Sequence, residues 1–514
     1  MNGQSVSLNK VKHQGMLTLT VMIATVMQVL DSTIANVALP HMQGNLGATQ
    51  DQITWILTSY ILSSAIGMTL AGFLSMRFGK RQLFLISIFG FTVSSMLCGI
   101  ADSLNTLVLY RLFQGLFGAS FVPLSQSILL DIYPKEKHGY ALALWGMGIM
   151  VGPIMGPVVG GYLTDAYSWR WVFFVNVPIG ILAFTGIYLL LDKIKSIEKM
   201  PFDWKGFILI AIFLSCLQIA LDRGEQLDWF DSLEIRVEFS ISILSLGLFI
   251  SHILKKENPY LRLDLFMDRN FAICLILSFV VGAILQSPLA LMPDFLQDLM
   301  NYPVLMAGLI TAPRGVGTMI SMFLVGRLIG KIETRFLVLI GLLILSYSLH
   351  QMTQFNLLMG YGPIIRSGVI MGFGLGFIFV PLSALAFSTL MPAYRTEGSG
   401  LYNLIRNIGG SIGISLSTNF LVRKTQMFHA TLGEFISPYN KTFLLSGVSN
   451  PSQYKQQDFL VWNNKVTQEA TTLAYLNTFK AIMFFALVSM FLLLFVKKQN
   501  SLSQETKPNM RDLD

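Results

Sequence analysis

Charge is what this sequence has least of. Only 12% of its 514 residues are Asp, Glu, Lys or Arg, about half of the roughly 25% usual in soluble domains. A chain so short of charge cannot cover a water-facing surface, which excludes a soluble globular protein and points to one that spans a bilayer. Cysteine is scarce too. Cys98, Cys216 and Cys274 lie scattered in apolar stretches, which excludes a disulfide framework. The six histidines, His13, His41, His138, His252, His350 and His429, show no ligand spacing, so no metal site is expected. No P-loop run is present, so ATP hydrolysis is not expected of the chain. Gly372, Gly374 and Gly376 sit in an apolar stretch with no strand before them and read as packing glycines, not as a dinucleotide loop. No cofactor is expected.

What is abundant is apolar sequence. Hydrophobic residues make up 53% of the chain, with 43 glycines, many of them inside the apolar stretches. Fourteen stretches are long enough to span, each needing about 17–25 residues. They centre near Met27, Ser64, Gly90, Phe117, Val151, Gly180, Phe213, Ser245, Val281, Met319, Leu345, Gly372, Ile412 and Phe485. The expected fold class is an all-α membrane protein. The first stretch is too long for a cleaved signal peptide and is read as retained. Lysine and arginine concentrate in alternate connections: Arg77, Lys80 and Arg81; Lys135 and Lys137; Lys193, Lys195, Lys199 and Lys205; Lys255, Lys256, Arg262 and Arg269; Lys331 and Arg335; Arg395; Lys497 and Lys498. The positive-inside rule places both ends of the chain in the cytoplasm. The net charge of +8 then reflects loops beside anionic lipid, and nucleic-acid binding is not expected.

Asp31 lies deep in the first stretch, Met16 to Pro40. An aspartate near the middle of a membrane helix costs about 2.5–3.5 kcal/mol and is rarely there without a task. Helical spacing puts Ala24, Gln28, Ala35 and Ala38 on its face, a narrow stripe suited to a cavity or a close neighbour. Two readings stand: a proton-carrying group, or a structural aspartate satisfied by a hydrogen bond or an arginine.

The chain also repeats itself. Phe121-Val-Pro123-Leu-Ser125 recurs as Phe379-Val-Pro381-Leu-Ser383. Gly72, Leu74, Arg77 and Arg81 reappear as Gly326, Leu328, Lys331 and Arg335, and Pro40, closing the first span, matches Pro293, closing the ninth. The offsets stay near about 255 residues, so span one answers to span nine, four to twelve and five to thirteen. The simplest architecture is two six-helix bundles in parallel repeat. The expected division is an N-terminal tail (1–15), a first bundle (16–192), two inserted helices with linkers (193–269), a second bundle (270–498) and a C-terminal tail (499–514). A transporter built this way holds its substrate between the halves and rocks them to expose it alternately.

Four motifs carry candidate chemistry. The first is Leu30-Asp31-Ser-Thr-Ile-Ala-Asn36-Val-Ala-Leu-Pro40. In the second, Arg111, Gln114, Gly115 and Gly118 lie along one helix face at i, i+3, i+4 and i+7. A guanidinium there either meets a nearby acid in the bundle interior or merely snorkels to an outer carbonyl. The third is Gly148, Gly152, Pro153, Gly156, Pro157, Gly160 and Gly161, where glycine at every fourth position keeps one face bare for a close neighbour and the prolines remove helical donors. The fourth is the loop Gly72-Phe-Leu-Ser-Met76-Arg77-Phe-Gly79-Lys80-Arg81.

Together these motifs resemble the major facilitator superfamily, and within it the fourteen-span drug:proton antiporters, over almost the whole chain. The resemblance implies the major facilitator fold, with fourteen transmembrane helices as two six-helix bundles plus two inserted central helices. It implies Asp31 as the proton-linked acid, Arg111 within the basic motif of span four, and Gly148 to Gly160 as the antiporter motif of export families. It also implies that Gly72, Arg77, Gly79 and Arg81 belong to a cytoplasmic gating loop. There the chain departs from the pattern: Met76 stands where the wider superfamily usually has aspartate, so the usual carboxylate–cation latch cannot form at that point. Ser168 to Gly180, with Trp169, Trp171 and Asn176, is also characteristic of the subfamily, although interfacial anchoring explains the tryptophans without a transport role.

The expected function is proton-coupled export of bulky amphipathic or aromatic compounds across a bacterial inner membrane. Gln28, Asn36, Gln114, Phe117, Gln126, Gln286, Asn403 and Arg406 are the candidates for the substrate cavity, each of which packing alone also explains. Arg314 and Arg366 are further intramembrane cations. The segment from Arg423 to Tyr475 reads as a long external loop in which Asp458 to Tyr475 forms an amphipathic helix through Phe459, Trp462, Val466 and Leu473. The resemblance implies that this loop docks a periplasmic adaptor of the membrane fusion type, bridging to an outer-membrane channel. The alternatives are an exporter dedicated to one endogenous metabolite or siderophore, and a non-transporting scaffold or sensor for the adaptor. No nucleophile–base or metal constellation supports an enzyme.

Overall fold

The computed structural model describes residues 14–192, 202–256, 261–435 and 456–496. The expected N-terminal and C-terminal tails lie almost wholly outside the described residues, as do Lys193, Lys195, Lys199, Lys497 and Lys498 and the middle of the expected external loop. What is described consists of helices and the short connections between them. Among the described residues the only β-type contact is one isolated bridge between Ile329 and Ile332.

The spans run in chain order. Spans one to three are Gln14–Leu46, Trp55–Phe78 and Lys80–Gly99. Span four is built of Leu104–Gly118 and Phe121–Ile132, span five is His138–Ala166, and span six is Trp171–Phe174 with Asn176–Leu190. Spans seven and eight are Trp204–Arg223 and Leu233–Lys255. Span nine is Arg269–Asp294, ten is Val304–Thr311 with Pro313–Leu328, eleven is Thr334–Met352 and twelve is Tyr361–Ser388. Span thirteen is Arg395–Gly433, and span fourteen is Gln456–Ser489 running into Met490–Phe495. All but the thirteenth are long and apolar enough to cross a membrane by composition alone. The thirteenth falls short on polarity, not on length: it carries Arg395, Glu397, Arg406 and Arg423 across 39 residues.

Proline shapes several of these helices, not always as its position suggests. Pro123 lacks the N–H that would bond to the Ala119 carbonyl, and span four breaks there. Pro313 opens the second piece of span ten at a position where no helical donor is needed. Pro40 and Pro293 do not close their spans. Span one continues through Pro40 to Leu46, and span nine continues past Pro293 into a π turn over Phe295–Leu299. A proline near a helix end forfeits one bond that neighbouring turns outlast.

The packing obeys the repeat. Span one lies on spans five and six, two on four, and three on four and six. In the second half, nine lies on thirteen and fourteen, ten on twelve, and eleven on twelve and fourteen. The halves meet along two equivalent seams, span two against thirteen and span five against ten. Glycine makes both close. A Cβ on Gly72 would lie 2.8 Å from the Glu397 Cα, and one on Gly326 would lie 2.7 Å from the Ala143 Cβ. The inserted spans seven and eight pack on each other, and span seven also lies against spans two and thirteen.

Two expectations about the C-terminal region need correction. Arg423 to Gly433 and Gln456 to Tyr475 are not a surface loop but continue spans thirteen and fourteen as helix, with the His429 ring 3.2 Å from the Asn463 side chain. At about 1.5 Å per residue, the 39 residues of span thirteen reach about 58 Å, well beyond a hydrocarbon core of about 30 Å. The buried stripe of Gln456–Ser489 also differs from the expected one. Val466, Ala470 and Ala474, spaced at i, i+4 and i+8, face inward, and Leu473 is 37% exposed. The Phe459 side chain lies outside the described residues.

Candidate functional site

Asp31 sits at the centre of the first bundle, 1% exposed, where spans one, three, four and six converge. The expected small-residue face is buried throughout, at Ala24, Gln28, Ala35 and Ala38. Arg111 Nη1 meets Asp31 Oδ2 at 2.7 Å with both side chains sealed from solvent. Asp31 Oδ1 accepts from Gln114 Nε2 at 2.9 Å and from Asn176 Nδ2 at 2.6 Å. Both oxygens thus receive donors, the geometry of an ionised acid.

The guanidinium has partners of its own through Nη1 and Nε. Arg111 Nη1 also donates to Gln114 Oε1 at 2.7 Å, and Nε donates to the Ile56 carbonyl at 3.4 Å. Its Cζ lies 4.5 Å from the centroid of the Tyr60 ring and 5.4 Å from that of Phe173. Glycine permits this approach. A Cβ on Gly115 would run into the Tyr60 carbonyl oxygen, so only glycine lets span four come close enough to span two. Asn176 is fixed in turn by span three: its Nδ2 also donates to Ser95 Oγ at 3.0 Å, and Ser95 Oγ donates to the Phe173 carbonyl at 2.8 Å. Of the two readings of Arg111, the structure gives the buried partner of an acid.

The glycines of the third motif face span one, the helix that bears Asp31. A Cβ on Gly152 would fall 3.0 Å from the Val29 backbone carbon, one on Gly156 would collide with Thr33 Oγ1, and one on Gly160 would fall 3.3 Å from the Ile34 Cα. On Gly148 it would meet the flexible end of Met22. Thr33 Oγ1 donates to the Gly152 carbonyl at 3.2 Å. The helix is continuous through Pro153 and Pro157. Its other side forms the seam with span ten, where Pro157 adjoins Gly308.

At the lysine- and arginine-rich end, the fourth motif is rearranged. Arg77 is exposed, and Arg81 donates to the Tyr188 carbonyl at 2.6 Å, so neither joins the halves. Gly79, at φ +81°, makes the turn into span three, and that turn brings Lys80 inward. Lys80 bonds to Asp131 at the end of span four and donates to Ser127 Oγ at 2.5 Å. Asp131 Oδ1 also receives Arg395 Nη1 from span thirteen at 3.0 Å, and that nitrogen reaches the Leu130 carbonyl at 2.7 Å. Asp131 therefore supplies the carboxylate missing at Met76 and ties both halves together. The seam continues as a buried polar zipper. Thr396 Oγ1 donates to Ser127 Oγ at 2.9 Å, Asn403 Nδ2 to Gln126 Oε1 at 3.1 Å, and Ser399 Oγ also bonds to Gln126 Oε1.

The cavity candidates scatter. Gln114 belongs to Asp31, and Gln126 and Asn403 close on each other across the seam. Phe117 packs on Gly90, within the core of the first bundle. Gln28 is buried with Asp31, Asn36 is exposed, and Gln286 packs half-buried against Gly410. The Arg406 guanidinium lies 4.8 Å over Phe379, whose ring stacks on Trp145 of span five at 5.9 Å. Arg366 is exposed and Arg314 half-buried. Trp169 is no interfacial anchor: it is 2% exposed, edge-on to Phe173, whereas Trp171 is 49% exposed. Sequence reasoning named Asn176 only within a motif, with no role of its own, and missed Ser95 and Asp131. An asparagine inside an apolar run and an aspartate ending one were the available signals.

Comparison with known proteins bears on this arrangement. Residues 21–414 match the family model described as Major Facilitator Superfamily. The chain is 38% identical to the Multidrug export protein EmrB of Haemophilus influenzae over 427 residues, covering 83% of this chain and 84% of that protein. It is 38% identical to the protein of the same name from Escherichia coli K12 over 431 residues, covering 82% and 83%. The solved structure of the human organic anion transporter MFSD10 superposes with a TM-score of 0.64 at 12% identity, covering 93% of this chain and 99% of that one, a likeness of fold alone. A repeat-built helical protein, multi-pass in the membrane, with a buried Asp31–Arg111 pair in its first half, this chain belongs to the Major Facilitator Superfamily.

Proposed function

We propose that this protein exports bulky amphipathic or aromatic compounds in exchange for protons, with Asp31 as the proton-linked acid and Arg111 as its counter-charge. Its relatives in Haemophilus influenzae and Escherichia coli are multidrug export proteins. The observation that carries the proton assignment is the sealed pair itself: an acid and a base 2.7 Å apart in the membrane region, a costly arrangement that helix packing alone does not require.

The lysines and arginines gathered at one end support a cytoplasmic placement of that end and of both termini. With that end tied by Asp131, Arg395 and Lys80, the route from the cytoplasm is shut until the seam parts. A proton arriving at Asp31 from outside neutralises the acid and frees Arg111, and the bundles (residues 16–192 and 270–498) then tilt about the two seams. Opening the basic end uncovers Gln126 and Asn403, which then face a substrate entering from the cytoplasm. The close packing of Gly152 and Gly156 on span one transmits that tilt to the helix of Asp31. Separating a buried ion pair costs about 3–5 kcal/mol. One proton moving inward supplies about 2.3 kcal/mol per 100 mV and about 1.4 kcal/mol per pH unit, so the two are matched in size. The helical hairpin formed by the outer ends of spans thirteen and fourteen suits docking by a periplasmic adaptor that leads to an outer-membrane channel.

The test uses everted membrane vesicles carrying a preformed pH gradient. Added substrate should discharge the gradient with the wild-type protein and leave it standing with Asp31→Asn. Equal discharge by both proteins removes Asp31 from the coupling role.

A further inference from the structure

The inserted span seven closes a cavity of about 360 Å³ against the outer parts of spans two and thirteen, at the end of the molecule away from Asp131. We propose that this cavity is a second ligand site, separate from Asp31, and that it takes a lipophilic monovalent cation held by Asp222. Its size is that of a small-molecule pocket. Leu57 and Ile61 of span two, Ile219 of span seven and Ile414 of span thirteen give it apolar walls, and Trp55 stands at its edge.

The charge in this apolar setting is one-sided. Asp222 Oδ2 accepts from Thr58 Oγ1 at 2.9 Å, and Oδ1 accepts from Gln218 Nε2 at 2.8 Å. Both donors are neutral, and an ionised carboxylate has lone pairs for about two more. Glu225 adds a second carboxylate to the lining. Arg223 is the one cation among the lining residues, and it is committed to Glu234. Among the described residues no counter-charge meets Asp222, which stands exposed at the cleft. An acid so placed beside apolar walls selects a ligand that carries a positive charge on an apolar body and repels anions.

The site also joins the halves. Thr58 comes from the first bundle, while Ser411 Oγ donates to Gln218 Oε1 at 3.1 Å and Ser415 Oγ donates to the Leu221 carbonyl at 3.2 Å from the second. Span seven, which has no counterpart in the repeat, thus carries the acid that faces both.

The experiment titrates tetraphenylphosphonium into the purified full-length protein by equilibrium dialysis, with neutral triphenylphosphine oxide as the control ligand. Wild-type protein should bind the cation saturably. Asp222→Asn should weaken that binding about tenfold or more, with Asp222→Glu close to wild type and the neutral ligand unaffected by either. Asp222→Asn should still let an exported substrate discharge the pH gradient of everted vesicles, which separates this site from the export reading. Should Asp222→Asn not purify as a folded protein, Ile414→Trp, which fills the cavity and spares the acid, should abolish the binding. Wild-type affinity in Asp222→Asn or in Ile414→Trp overturns the proposal.

Discussion

Asp31→Asn keeps the shape of the side chain and removes its charge. In the native site Oδ2 holds Arg111, and Oδ1 holds both Gln114 and Asn176. An amide presents one acceptor and one donor, so whichever way the substituted side chain turns, its NH₂ faces a group that also donates. The larger loss is electrostatic. Arg111, fully buried, keeps only the Gln114 and Ile56 oxygens and the Tyr60 and Phe173 rings. Leaving a buried charge unpaired costs about 3–5 kcal/mol, which for a bundle of this size is a fall of roughly 10 °C in the unfolding midpoint. Neutralising the partner too should restore most of that, since buried pairs are commonly replaced by neutral groups at little cost. Thermal unfolding in detergent of wild type, Asp31→Asn, Arg111→Gln and the double variant should therefore show both singles lowered and the double near wild type. Export should be absent in all three variants. A double variant less stable than either single would mean that the two residues stabilise the bundle independently, and the coupling argued from their contact would be wrong.

Three other outcomes rest on single contacts. Asn176→Leu strips Asp31 Oδ1 of its shortest donor and should cost about 1–3 kcal/mol in the same unfolding assay, with export lost. Gly156→Val drives a side chain into Thr33 and should cost about 1–3 kcal/mol and abolish export, whereas Gly161→Ala, whose Cβ meets nothing within 4 Å, should match wild type. Asp131→Asn cuts the tie to Lys80 and Arg395. In a background with Cys98, Cys216 and Cys274 replaced by serine, a cysteine at position 126 should react with maleimide faster in Asp131→Asn than with Asp131 intact. Equal rates would mean that the seam holds without the acid.

Most of the fold was legible because hydrocarbon imposes its own arithmetic. A helix must be about 20 residues long and apolar, and spans one to twelve and fourteen obey. Span thirteen and the outer end of span fourteen were harder. Polarity beyond the membrane looks the same whether the backbone coils or continues as helix, so Arg423 to Tyr475 read as a loop. Asp31 and Arg111 stood out because charge is so costly in that setting. Asn176 and Ser95 did not, since a neutral polar residue in an apolar run costs too little to demand explanation, and only the fold brings them within 3.0 Å of each other. The seam at the basic end was only partly legible, for a related reason. Met76 correctly announced that a carboxylate was missing, but its replacement, Asp131, lies more than fifty residues away and becomes a partner of Lys80 only when spans three and four pack together. Gln126 and Asn403 were chosen as polar groups in a cavity, and the closed seam satisfies them with each other.

The proposed coupling requires above all that Asp31 exchange a proton when substrate binds. Purified protein in weakly buffered detergent, mixed with a transported compound beside a pH indicator dye, should release a proton in the wild type and none in Asp31→Asn with binding retained. Release of the same size from Asp31→Asn would assign the proton to another group and leave Asp31 a structural acid.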